Sequence, residues 1–157
     1  MASKKIETLK KQSGFTIVEL LIVIVVIGIL AAITIVAYSG ITNRANATKA
    51  QTNGANVLKV VEAFNADGAS SGYPGTAAIL TTYSGTAAAI AKIPTGVTVG
   101  AAASVTAANG TTNVQYVAKG TTGGCIGWWD FGATTPGLKY FFAGDATTFA
   151  VGTGVCS

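Results

Sequence analysis

The sequence predicts an α+β protein: a long N-terminal α-helix, membrane-spanning in its front half, packs through its back half on a small antiparallel β-sheet. Three observations predict it. Residues 15–38 form an apolar run interrupted by one charge, Glu19. An apolar stripe at helical spacing carries the helix on to Phe64. From Val97 the pattern changes to short β-branched and aromatic runs separated by glycine-rich turns. The length of 157 residues allows one domain of ordinary size, and the 50% hydrophobic content is enough to bury a core. Only 10% of residues are charged, against roughly 25% in ordinary soluble chains, which points to a membrane or an assembly.

The charge is concentrated before the first element. Lys4, Lys5, Lys10 and Lys11 against Glu7 give the first fourteen residues +3 of the total +4. The remaining bases, Arg44, Lys49, Lys59, Lys92, Lys119 and Lys139, are single and scattered, so no basic stripe for nucleic acid is present. With no histidine, the chain lacks Ser-His-Asp and Cys-His catalysis and histidine-containing zinc sites.

The first element is the apolar run Phe15 to Tyr38. As a helix its 24 residues extend about 36 Å, enough to cross a hydrocarbon core of about 30 Å. The preceding lysines place the N-terminus in the cytoplasm, and everything beyond Tyr38 on the outer side. A secretory signal peptide has the same general shape, but its apolar region normally runs about 7 to 15 residues. A plain membrane anchor fits the length. Neither explains Glu19, because a carboxylate within a span is costly unless it serves a partner cation.

Lys10-Lys11-Gln12-Ser13-Gly14 followed by Phe15-Thr16-Ile17-Val18-Glu19-Leu20 resembles the class III signal of type IV prepilins. In that family a short basic leader is cut after a glycine, and the fifth residue after the cut is a glutamate. The resemblance covers residues 10–38 and weakens beyond. It implies that prepilin peptidase cuts after Gly14 and N-methylates the new terminus, Phe15. It further implies that Thr16 is the small polar residue often found next, and that Glu19 pairs with the N-terminal amine of a neighbouring subunit during assembly. That amine exists only after cleavage, and an unpaired buried carboxylate is strongly unfavourable. Many members carry a helix proline where this chain has Val36. Gly28 is then the expected weak point if the helix partly melts during assembly.

The expected organisation is a leader over 1–14, a transmembrane and filament-core segment over 15–38, an amphipathic continuation over 39–67, and a connector with a C-terminal sheet over 68–157. Ala47, Ala50, Gly54, Val57, Val61 and Phe64 lie on one stripe of the continuation, with Lys49, Asn53, Lys59 and Glu62 off it. Asp67-Gly68 supplies the stop. Short helical turns are expected over Thr76–Thr82 and Thr86–Lys92, between Tyr-Pro-Gly and Ile-Pro-Thr-Gly breakers. Strands are expected at Val97–Val99, Val105–Ala107, Asn113–Lys119, Ile126–Phe131, Leu138–Ala143 and Thr148–Val151, with Asn109-Gly110 as a turn. Trp128, Trp129, Tyr140, Phe141 and Phe142 read as core and surface alternation of strands.

Cys125 and Cys156 are the only cysteines, and both fall on the oxidising side, so a disulfide is expected; two free thiols lack the further soft ligands a metal needs. In pilins such a bond encloses a variable loop, here residues 126–155. Asp130 and Asp145 sit beside turn residues with nothing to fix their separation, and no phosphate loop or calcium loop occurs. Asn46-Ala-Thr and Asn109-Gly-Thr match glycosylation sequons. No enzyme activity and no cofactor or metal is expected.

The resemblance implies a type IV pilus subunit, a major pilin in preference to a minor pilin or a type II secretion pseudopilin. Its partners are identical subunits in a helical filament, prepilin peptidase, the assembly platform and, for the precursor, the cytoplasmic membrane. The assembled product is extracellular, in surface adhesion or twitching motility. The rival of another class is a membrane-anchored extracytoplasmic binding domain.

Overall fold

The structure, a computed structural model, describes residues 14–68, 72–83, 91–101, 105–145, 151–152 and 155–156. The leader residues before Gly14 lie outside these. The chain falls into two compact units that meet in sequence between Ser39 and Gly40.

Helix α1, Ile17–Ala66, contributes to both units. Its part in the first unit is apolar all round and exposed throughout, which is the pattern of a helix whose solvent is lipid or other protein. Thr34 and Ser39 each return their hydroxyl to the carbonyl three residues back, at 2.9 Å, so the polar side chains in this stretch are internally satisfied.

In the second unit α1 becomes one-sided. Ala50, Gly54, Val57, Val61 and Phe64 are buried as the spacing predicts, Val60 joins them, and Ala47 is half-buried. Asn53 departs from expectation. It is buried on the packed side, where its amide Nδ2 donates to the Thr111 carbonyl at 2.9 Å. The helix ends where expected: Asp67 N still bonds to Ala63 O, and Gly68 adopts a left-handed φ of 61°.

Helix α2, Ala77–Thr82, is the first expected connector turn, and it buries Leu80. The second, over Thr86–Lys92, lies largely outside the described residues. Three tyrosines fasten the connector. Tyr116 OH donates to Pro74 O at 2.7 Å, Tyr73 OH to the Glu62 carboxylate at 3.0 Å, and Tyr83 OH to the Asp67 carboxylate. Burial, then the carboxylate hydrogen bond, pushes the Tyr83 hydroxyl up to about 12 and raises Tyr73 as well, so both remain donors at neutral pH.

The sheet holds β1 (Thr98–Gly100), β2 (Asn113–Lys119), β3 (Gly123–Asp130) and β4 (Gly137–Gly144) in that order. β2, β3 and β4 are antiparallel, but β1 runs parallel to β2, so the sheet is mixed. The expected wholly antiparallel sheet is thereby corrected. The reason is the connection over 101–112, long enough for the crossover that parallel neighbours require. It also removes the strand expected at Val105–Ala107. There Asn109 Oδ1 accepts from Thr106 N at 2.7 Å and Thr112 N bonds to Asn109 O, which curls the segment into turns. A separate two-stranded sheet pairs β5 (Val151–Gly152) with β6 (Val155–Cys156); the rest of the strand expected over Thr148–Val151 lies outside the described residues.

The core lies between α1 and one sheet face. Val57, Val60 and Val61 meet Val114, Tyr116, Ile126 and Ala143, closed by Leu80 and Val99. Trp128 is buried and stacks on Phe141 with ring centroids 6.0 Å apart, while Phe142 is exposed, which is the alternation expected of the aromatics. Gly54 makes the room for this pair: a Cβ there would lie 3.1 Å from Trp128 and 3.2 Å from Phe141.

Candidate functional site

The candidate site is the head of α1. Gly14, Phe15 and Thr16 are non-helical and exposed, and the helix begins at Ile17. The Gly14–Phe15 peptide bond therefore lies outside the helix. Phe15 is 83% exposed.

Thr16 and Glu19 close a reciprocal cap. Glu19 N donates to Thr16 Oγ1 at 3.2 Å, and Thr16 N donates back to Glu19 Oε2 at 2.8 Å. The Thr16 hydroxyl also donates to Oε2 at 2.8 Å, and Leu20 N closes the first turn on Thr16 O. This is a capping box: two of the orphan amides at a helix start are satisfied by side chains three residues apart. Both contacts to the carboxylate fall on Oε2. A carboxylate accepts through two oxygens, so Oε1 can take a further donor while the cap stays closed. The negative charge also sits at the positive end of the helix dipole. The sequence carried the signal for this in plain form, Thr16-Ile17-Val18-Glu19, a T-x-x-E cap directly before an apolar run. Glu19, expected only as an acid needing an outside cation, thus has a local partner in Thr16.

The other expected positions are separate from this cluster. Gly28 is exposed within α1, and a Cβ there would touch nothing within 4 Å. Cys125 is fully buried in β3, on the face opposite Ile126, and is not a free thiol. The backbone of Cys156 is in β6, opposite Val151, and its side chain lies outside the described residues. Asp130 and Asp145 form no pair. Asp130 instead binds Lys139 Nζ at 2.9 Å and accepts from Gly132 N, interactions that hold its carboxyl below the usual range, the lysine contact being the larger cause.

Residues 9–35 match the family model described as the prokaryotic N-terminal methylation motif. Over 42 residues the chain is 52% identical to two fimbrial proteins of Pseudomonas aeruginosa, a match covering 27% of this chain and 27% of each relative. By motif and partial similarity this stretch of the chain is fimbrial-protein-like. The capped head of α1 thus lies inside the stretch that matches the prokaryotic N-terminal methylation motif. The chain spans about a quarter of the length of the fimbrial proteins it matches. No solved structure matches it.

Proposed function

We propose that this chain is the major structural subunit of a type IV pilus, made as a single-pass membrane precursor with its N-terminus in the cytoplasm. The observation that carries this reading is the methylation motif at the head of a helix whose front half, apart from Glu19, is apolar and exposed. Prepilin peptidase cuts the exposed Gly14–Phe15 bond and methylates the Phe15 amine. The apolar stretch then leaves lipid for the core of a helical filament of identical subunits, built by a membrane assembly platform. Adhesion or motility-type functions follow from the filament.

Glu19 has two successive partners in this scheme. In the precursor the capping box supplies donors to Oε2, which lowers the cost of holding a carboxylate near lipid. After cleavage the amine of a neighbouring Phe15 approaches Oε1, and the charge is neutralised within the filament core. We propose also that Cys125 and Cys156 form a disulfide enclosing residues 126–155.

Mass spectrometry of the surface protein tests the processing step. The expected N-terminus is methylated Phe15; a terminus at Met1 or Ala2, or beyond residue 30, overturns the reading in favour of an anchored domain. Glu19→Ala should leave cleavage intact and abolish most surface filaments, and filaments at normal abundance remove Glu19 from assembly. Identification of this chain as the main protein of sheared fibres separates a major pilin from a minor pilin or pseudopilin.

A further inference from the structure

The second unit begins with a notch that neither the motif nor the core accounts for. Gly40, Asn43 and Arg44 at the start of its helical segment face the β3–β4 turn, residues Asp130 to Ala133, across about 600 Å³. The charges in it are unequal. Asp130 is engaged twice, by Lys139 Nζ and by Gly132 N, whereas Arg44 has no carboxylate within ion-pair distance among the described residues. The turn itself, Phe131-Gly132-Ala133-Thr134-Thr135-Pro136, carries no charge, and its Gly132, Thr134, Thr135 and Pro136 are exposed. With Asp130 neutralised by Lys139, Arg44 is the charge left over in the notch, and beside an uncharged exposed turn it suits a surface that is anionic and partly apolar.

The chain order says which surface this is. The apolar stretch ends at Tyr38, an exposed aromatic of the kind enriched at membrane interfaces, and the notch begins two residues later. Side chains on a helix tilt toward its N-terminus, so the Arg44 guanidinium reaches back toward Gly40. A guanidinium presents paired donors that match phosphate oxygens.

We propose that in the precursor this notch binds the headgroup phosphates of anionic phospholipid where α1 leaves the membrane, with the 131–136 turn resting on the bilayer surface. The proposal rests on residues 15–38 spanning the membrane. It gives the second unit a lipid-held resting position that extraction into a filament must release.

The test uses the full precursor in nanodiscs of phosphatidylcholine with or without phosphatidylglycerol, with a paramagnetic headgroup lipid as probe. In anionic discs the amide signals of residues 132–134 should broaden. Arg44→Glu should reduce that broadening by at least about five-fold, since losing one basic residue at an anionic surface is worth about that factor and the new carboxylate adds repulsion. Lys59→Glu, on the same helix and outside the notch, should leave it unchanged. Broadening at Gly40 and Asn43 but none at 132–134 overturns the proposal and leaves the spanning reading intact. Solvent-exchanging amides throughout 17–38 would instead defeat the spanning reading. Loss of filaments in Arg44→Glu with unchanged lipid broadening would assign Arg44 to subunit contacts and overturn the lipid site.

Discussion

Glu19 and Asp130 are both acids in apolar surroundings, and each is made tolerable by named donors, with different consequences. Glu19 depends on Thr16, so Thr16→Ala should fray the start of α1, raising amide exchange at residues 17–20 roughly five-fold, while Thr16→Ser retains protection. Exchange measured in detergent micelles checks this, and equal protection in both variants would remove the cap from the account. Asp130 depends first on Lys139. Its folded carboxyl titrates below the unfolded value of about 4, so its contribution is fully present above that value and is lost as pH falls through the lower folded pKa. The lysine is 59% exposed, which limits the pair to about 0.5–1 kcal/mol. Lys139→Met should cost that much at pH 7 and flatten the fall in stability below about pH 4. Urea unfolding of the full chain in detergent, followed by tryptophan fluorescence, reads both.

Among the elements, α1 was the most legible because helical spacing and burial report the same geometry: five of its six stripe positions are buried as read, with Ala47 half-buried. Asn53 was misplaced because its burial depends on a hydrogen bond to Thr111, 58 residues away, which no local pattern encodes. The direction of β1 failed for the same reason, since a short run reads alike whether its neighbour is parallel or antiparallel. The capping box was legible and passed over. Two elements carry tests of packing. Gly54→Val should destabilise the second unit by about 1–3 kcal/mol, because added methyl groups have no space against Trp128 and Phe141. Cys156→Ser should remove the loop-closure term of the proposed disulfide, roughly 3–4 kcal/mol in the chain-entropy model. Denaturant melts of the oxidised chain and both variants measure these losses, and alkylation of both thiols without reductant in exported protein would exclude the bond.

For the molecule as a whole, the basic balance belongs, in the proposed scheme, to the precursor. The chain carries +4 and a pI of about 9.2, yet the first fourteen residues supply +3 of that charge. Side chains from Phe15 onward sum to +1, and the free amine at Phe15 is matched in the proposed filament by Glu19. Subunits can therefore pack at high density with little mutual repulsion, which a chain retaining its leader could not do. In the proposed scheme, removal of the leader accomplishes two things at once: it creates the amine that Glu19 requires and it discharges the assembling surface. The expected outcome is that protein from cells lacking prepilin peptidase focuses at a distinctly higher pH than the surface form, remains in the membrane fraction and forms no fibres. Replacing Lys4, Lys5, Lys10 and Lys11 by glutamine in the uncleaved protein separates the two effects. If charge alone blocked assembly, that variant would form filaments without cleavage; because the amine is also missing, it should stay monomeric, and fibres from it would overturn the role given to the Phe15 amine.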